Sequence, residues 1–388
     1  MERRILVPRE ASRDVVASLD AWPVLDTLQA VDRANIGSPI GRLIALARRF
    51  RWFDRAWRFI EARDPRTLST PRRLEIWRAI WAALDDQAPE ARDIVYFTCA
   101  NPLLIAGIGR WLSSRPAERR PWVFFRIAGG ELGDTDAPIS RDSAAFFRRA
   151  CLEVSQYDGQ ERLFVLTCSN VLAQAGSRVA GRRIFSTPLA TYFLPSGNGE
   201  AVASGQIVYI HTNVRTGQFI YNLGDLIHRV KAVAPDVRFV LKYRSNDPPL
   251  SAVRASLIGL AKVLPFEQGP ADYVENFRNC SVVLLAYSSD YAMASSGVFV
   301  DATGYGKPVV VPRGTWMSCA MAAGRGVGVT YDELSVEAVA EALLQVLSRI
   351  DVIGDDARAL SETVRRENSG LRYIERLREI TTSRAGSK

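Results

Sequence analysis

The sequence predicts an α/β protein built from two parallel-sheet halves, with extra helices near its N-terminus. Two observations carry that expectation. From residue 94 onward, short β-branched or aromatic runs alternate with amphipathic stretches, the βαβα order of a parallel sheet covered on both faces. The alternation pauses once, at LPSGNGEAVASGQ (194–206), which carries Pro, Gly, Ser and Asn and little to bury, and then restarts. A chain of 388 residues has room for two such domains at ~100–200 residues each. The expected bounds are 1–199 for the first, with a helical insertion over about 20–90, and 206–354 for the second. Residues 355–388 are expected as C-terminal helices that pack back on the first domain.

The elements follow in order. Strands are expected at 94–98, 122–127, 163–167 and 184–186, with helices at 102–113, 143–156 and 170–179 between them. After the linker come strands at 207–211, 238–242, 262–264, 282–287, 308–311 and 326–329. Helices are expected at 219–233, 252–260, 271–277, from Gly297 and at 335–348. The last stretch, 355–382, reads as helix with a break at Asn368-Ser369-Gly370. Two open sheets of this kind leave a cleft at the C-terminal edges of their strands, where ligands of α/β proteins bind.

Residues 20–90 lack the strand alternation and are rich in Trp and Arg. Thr70-Pro71 supplies a capping hydroxyl and a proline for the first helical position, and the helix runs to about Leu84 with Leu74, Trp77, Trp81 and Leu84 inward. A second helix, residues 43–60, places Leu43, Leu46, Phe50, Phe53, Trp57 and Ile60 on one face and Arg48, Arg51, Arg55 and Arg58 opposite. Its apolar stripe is either core or a peripheral membrane contact, with the arginines on anionic headgroups.

Composition narrows the function classes. At 47% hydrophobic and 24% charged the chain has enough apolar residues for full cores. The net charge of +8 fits phosphate-bearing substrates, an anionic membrane surface, or simply arginine-rich coding. No RRM, helix-turn-helix or zinc-finger pattern accompanies it, so no nucleic-acid partner is expected. The five cysteines are odd in number, lack CxxC spacing and lie partly in apolar strands, as buried thiols of a cytoplasmic protein do. Neither an apolar leader nor a run of about 18 apolar residues is present in the sequence.

The most informative stretch is YSSDYAMASSGVFVDATGYGKPVVVPRG, residues 287–314. A buried strand ends, a Ser-Ser-Gly turn opens a helix, and Gly306-Lys307-Pro308 leads into another buried strand. A helix N-terminus presents free N–H groups and the positive end of the dipole to a phosphate. Gly297 lets a ligand approach the backbone, and Ser295 and Ser296 add hydroxyl donors. Asp301 stands one turn further on, where a carboxylate can accept the hydroxyls of a ribose.

On these residues the chain resembles bacterial GT-B glycosyltransferases, in particular the C-terminal domain of the GT4-like group. There a Gly-containing turn and a helix with an acidic residue lead into A-x-x-x-G-x-P-V-V; here the stretch runs Asp301-Ala302-Thr303-Gly304-Tyr305-Gly306-Lys307-Pro308-Val309-Val310. The resemblance covers residues 206–345 and implies the GT-B architecture, two Rossmann-like domains facing a cleft. It also implies a nucleoside-diphosphate sugar as donor substrate, a glycan or lipid-linked acceptor, and no further cofactor. Basic residues after the first two strands of the second half, Arg215, Lys242 and Arg244, match by location those that steady the departing diphosphate. Phe266 matches a position beside the base. Met293 stands where the pattern has its first glutamate, so the resemblance fixes neither the sugar nor the stereochemistry.

The acceptor side is sparser. Only His211 and His228 exist, both in the second half, so a general base must come from elsewhere. Glu131, after Ala128-Gly129-Gly130 at the end of a strand, is the candidate, against the alternative of a polar loop carboxylate. No metal site is expected, and the diphosphate would be held by cations of the protein. A sugar-nucleotide 2-epimerase of the same fold and a non-catalytic binding scaffold are the alternative activities.

Overall fold

The computed structural model describes residues 5–7, 21–23, 71–97, 102–127, 138–191, 193, 206–212, 217–243, 250–264, 269–287, 292 and 295–385. The chain divides into two compact units, one of Met1–Thr187 with Ile374–Lys388, the other of Pro188–Tyr373. Each holds a six-stranded sheet, and every strand pairing is parallel.

The first unit contains β1 (Ile5–Val7), β2 (Ala21–Pro23), α1 (Pro71–Asp86), β3 (Ile94–Phe97), α2 (Pro102–Ser113), β4 (Trp122–Arg126), α3 (Pro138–Val154), β5 (Leu163–Thr167), α4 (Asn170–Ala180) and β6 (Ile184–Ser186). Its strand order is β2-β1-β3-β4-β5-β6. The strands read as near-continuous apolar runs because both faces are covered; all five residues of β5 are buried. Aromatic rings pack across neighbouring strands: Phe97 stacks on Phe125 and Phe124 on Phe164, each pair with centroids 5.0 Å apart. The tryptophan-rich helix α1 docks by the Trp81 indole N–H donating to the Gly107 carbonyl at 2.9 Å and by the Trp77 ring, stacked on Trp81, lying against Gly107.

Two expectations for this unit are corrected. Ala21–Pro23 is a strand pairing with β1, although it falls in the stretch expected to be helical. Ala-Trp-Pro carries no β-branched residue to signal a strand, and pairing with a neighbour decides the conformation. Helix α3 begins at Pro138, five residues ahead of the expected start, because proline is preorganised for a first helical turn. The basic amphipathic stretch 43–60 lies outside the described residues.

The second unit contains β7 (Ile207–His211), α5 (Leu223–Val233), β8 (Arg238–Lys242), α6 (Leu250–Ser256), β9 (Lys262–Leu264), α7 (Pro270–Asn279), β10 (Val282–Leu285), α8 (Gly297–Gly304), β11 (Val309–Pro312), α9 (Trp316–Ala322), β12 (Gly328–Tyr331), α10 (Val336–Leu347) and α11 (Ile350–Glu367). The order is β12-β11-β10-β7-β8-β9. One face of the sheet buries Val208, Ile210, Phe239, Leu241, Val282 and Leu284 with α5 and α10. The period of two sends Tyr209, His211, Val240 and Lys242 to the other face, toward α7 and α8.

Here too the differences have physical causes. The expected helix 219–233 opens as a tight 3-10 turn, Gly217–Asn222, and becomes α-helical only at Leu223. Helix α6 ends at Ser256, ahead of Gly259 at φ +73°. Helix α9 was not foreseen; it starts on Thr315, which forms a capping box with Ser318. The units divide at Thr187, ahead of the expected linker, because Phe193 packs edge-on against Tyr305 at 5.8 Å and Thr191 N–H donates to the Asn368 carbonyl.

The C-terminal helices separate. Helix α11 packs on α8, its Arg365 Nε donating to the Gly304 carbonyl at 2.6 Å. After the break at Asn368–Ser369, α12 (Gly370–Ala385) enters the first unit, where Arg376 Nε donates to the Ser186 carbonyl at 3.3 Å. Of the described cysteines, Cys151, Cys168 and Cys280 are buried free thiols, whereas Cys319 is exposed on α9. Burial pushes Cys151 up to about 11 and Cys280 up to about 12, which keeps both protonated and unreactive. No helix among the described residues is long and apolar enough to cross a membrane.

Candidate functional site

The C-terminal edge of the second sheet sets the site. Register pairs His211 with Lys242 and Leu285 with His211, so β7, β8 and β10 end side by side. The chain leaving β10 is pinned at once. The Tyr331 hydroxyl accepts from Tyr287 N–H at 3.1 Å and shares its own proton between the Leu285 and Tyr287 carbonyls at 2.9 and 3.1 Å. The Tyr287 hydroxyl lies 3.3 Å from His211 Nδ1. Further on, the Ala292 carbonyl accepts from Trp316 N–H at 2.8 Å, and Trp316 packs edge-on against Phe299. Thus α9 holds the approach to α8.

Ser296 is the N-cap of α8, and its hydroxyl accepts from Phe299 N–H at 3.2 Å. It is 1% exposed, and its hydroxyl builds the helix start. Ser295 is half-buried beside it, and Gly297 is exposed. A β-carbon on Gly297 would meet nothing nearer than Leu189 Cδ2 at 3.9 Å. The protein itself has room for a side chain there; what the glycine leaves open is the first free N–H groups of the helix. Gly306 is different. It sits at φ +66°, and a β-carbon would press on the Arg358 backbone at 3.1 Å, so the GKP turn demands glycine for the fold alone.

Asp301 lies one turn into α8, and its Oδ2 accepts from the Tyr273 hydroxyl at 2.7 Å. Burial pushes its carboxyl up to about 6, while the Tyr273 hydrogen bond and the Lys242 charge pull the other way. Lys242 ends β8 at 6% exposure with its ammonium 4.2 Å from the centre of the Tyr273 ring. A desolvated contact of that kind is worth up to about 2 kcal/mol. Burial, then the Asp301 charge, push the Tyr273 phenol far up, so it remains a donor. Phe277 braces this group, meeting Tyr273 at 5.0 Å, Tyr209 at 5.4 Å and Tyr305 at 5.9 Å. The Tyr209 hydroxyl is buried without a hydrogen-bond partner among the described residues.

The structure therefore brings Lys242 and Asp301 together, with Ser295, Ser296 and Gly297 on the same helix as the aspartate. Arg215, Arg244, Phe266 and Glu131, and also Met293, lie outside the described residues. Sequence reasoning missed Tyr273, which joins the two charges from α7, 28 residues before Asp301. Its signal was an aromatic on a helix that follows Gly269-Pro270, indistinguishable in sequence from a core residue. At the matching edge of the first sheet, Ser169 caps α4 and Arg126 Nε donates to Cys168 Sγ at 3.1 Å.

No known family's sequence profile matches this chain, and no curated protein matches it in sequence. Its fold is similar to several solved structures. An alpha,alpha-trehalose-phosphate synthase (UDP-forming) from Burkholderia vietnamiensis superposes with a TM-score of 0.60 at 10% identity, covering 100% of this chain and 99% of that one. Anabaena Alr3699/HepE, solved in complex with UDP, gives 0.58 at 12% identity, covering 99% and 100%. TarM gives 0.57 at 10% identity over 79% of this chain, which spans only 58% of TarM's length. With two parallel-sheet α/β domains and neighbours that are GT-B glycosyltransferases, the chain has the GT-B fold.

Proposed function

We propose that the chain is a glycosyltransferase that moves a sugar from a nucleoside-diphosphate sugar onto a hydroxyl of a glycan or lipid-linked acceptor, in surface polysaccharide or glycoconjugate synthesis. One observation carries the reading: an open helix start at Gly297, a carboxylate one turn on, and a buried lysine meet at the C-terminal edge of one parallel sheet. In the proposed reaction the acceptor oxygen bonds to the anomeric carbon, the bond to the diphosphate breaks, and negative charge grows on the leaving group. The α8 N–H groups, the helix dipole and Lys242 stabilise that charge. Arg215 and Arg244 add to it, Asp301 accepts ribose hydroxyls, Phe266 flanks the base, and Glu131 takes the acceptor proton.

Protein cations replace a metal in this scheme, and the stretch 43–60 holds the enzyme to the cytoplasmic face of a membrane; co-sedimentation with anionic vesicles checks that contact. The deciding experiment is a thermal-shift panel of UDP, GDP, ADP, dTDP and CMP, with and without EDTA. At a hundred times its Kd a ligand stabilises the native state by about 2.7 kcal/mol. At least one nucleotide should raise the midpoint, EDTA should not reverse it, and Asp301→Ala should weaken binding about tenfold or more while the fold persists. If no nucleotide shifts the midpoint at millimolar concentration, the reading is wrong.

A further inference from the structure

We infer that Tyr273 is a positioning residue of the nucleotide site, fixing through its hydroxyl the carboxylate of Asp301 and through its ring face the ammonium of Lys242. The inference rests on the proposed nucleotide reading and names a residue that neither motif nor fold likeness points to. The hydroxyl takes Asp301 Oδ2 at 2.7 Å, and the same ring lies 4.2 Å below Lys242 Nζ. One side chain thus sets the orientation of both charged groups, one for the ribose and one for the diphosphate.

The arrangement is rigid for a stated reason. Tyr273 stands on α7, opened by Gly269 and Pro270, and its ring is braced edge-on by Phe277, which is 0% exposed. A phenol so placed has two torsions to fix, and packing fixes both. The carboxylate of Asp301 turns freely about its last torsion, and the Tyr273 hydrogen bond sets which way its oxygens face.

The carboxylate must be charged to accept ribose hydroxyls on both oxygens. The groups that face this cluster are Tyr209 and His211 from β7, Lys242 from β8, Tyr273 from α7 and Tyr287 after β10. From α11, Arg365 reaches the Gly304 carbonyl and Arg358 lies against Gly306. Of the bonds described here, the Tyr273 hydroxyl is the one donated directly to Asp301, and a donor to the charged form favours it. Removing it leaves burial less opposed, so protonation of Asp301 moves toward neutral pH.

The test is Tyr273→Phe, which keeps the ring against Phe277 and under Lys242. Calorimetric titration with UDP from pH 6 to pH 8 is run on the wild-type and variant proteins, and their affinity ratio cancels the titration of UDP itself. The expected loss at pH 8 is small, about threefold or less, and at pH 6 it is about fivefold larger than at pH 8. Melting curves of the free proteins verify that both are folded at each pH. If wild type binds UDP and the ratio stays constant with pH, Tyr273 has no positioning role. If wild type does not bind UDP at any pH, the nucleotide reading itself fails for UDP, and the inference falls with it.

Discussion

Each unit starts a helix at the C-terminal edge of its sheet with a buried serine, and the two starts are nearly superimposable in kind. Ser169 caps α4 and accepts from Leu172 N–H at 3.2 Å; Ser296 caps α8 and accepts from Phe299 N–H at 3.2 Å. Both serines are 1% exposed. The surroundings differ. Beside Ser169, the thiol of Cys168 accepts from Arg126 and the residues beneath are apolar and aromatic. Beside Ser296 stand Asp301, Tyr273 and Lys242, and behind them Tyr209, His211 and Tyr287. A capped helix start is common to α/β proteins. The second edge becomes a candidate site because three neighbouring elements each send a polar or ionisable group to it.

The widest test of that contrast removes the aromatic support of each region. Phe164→Ala in the first unit and Phe277→Ala in the second each delete a ring that is 2% or less exposed. Each should cost about 3–5 kcal/mol, read from denaturant unfolding. Only Phe277→Ala should also weaken UDP binding in titrations under native conditions, because only its ring braces Tyr273 and Tyr209. Equal loss of UDP affinity in both variants would break the comparison.

A smaller effect comes from the charge itself. Asp301 has its folded value raised to about 6 from 3.8, so the native protein binds more protons than the unfolded chain between those limits. Its contribution to stability is fully present below pH ~4 and is lost as pH rises through 6. Asp301→Asn removes that titration. The stability of wild type minus that of the variant should therefore fall by roughly 2–3 kcal/mol between pH 4 and pH 7. A flat difference across this range would mean that burial does not act on the carboxylate. A falling one shows that the site holds a charge at the expense of the fold, as binding sites do.

What the sequence made legible follows the same division. Strands β5, β7, β8 and β9 fall on the expected residues because short β-branched runs bounded by turn residues are a local signal. The helix start at Ser296-Gly297 was legible for the same reason, being strand, turn and helix in one stretch. Strands β1 and β2 were not: Ala21-Trp22-Pro23 has no β-branched residue, and β1 is set by parallel pairing with β2 and the distant β3. Tyr273 was not legible because its value lies in reaching Asp301 from another helix. The capping role of Ser296 was not legible, because a cap and a donating hydroxyl look alike until burial is known. Glu131, Arg215, Arg244 and Phe266 fall outside the described residues and stay as proposals.

The finest comparison uses the two caps themselves. Ser169→Ala and Ser296→Ala each remove one side-chain acceptor from a first-turn N–H, and each should cost about 1 kcal/mol in denaturant unfolding. Stability alone cannot separate them. UDP affinity can, because the cap on α8 fixes the direction of the free N–H groups at Gly297 and just beyond. Ser296→Ala should weaken UDP by about threefold to tenfold, the range of a slightly misaligned charge-assisted contact. Ser169→Ala should leave UDP affinity unchanged within error. If the two caps affect UDP equally, the helix start at Gly297 is a structural feature like its counterpart at Asn170, and the phosphate must be held elsewhere.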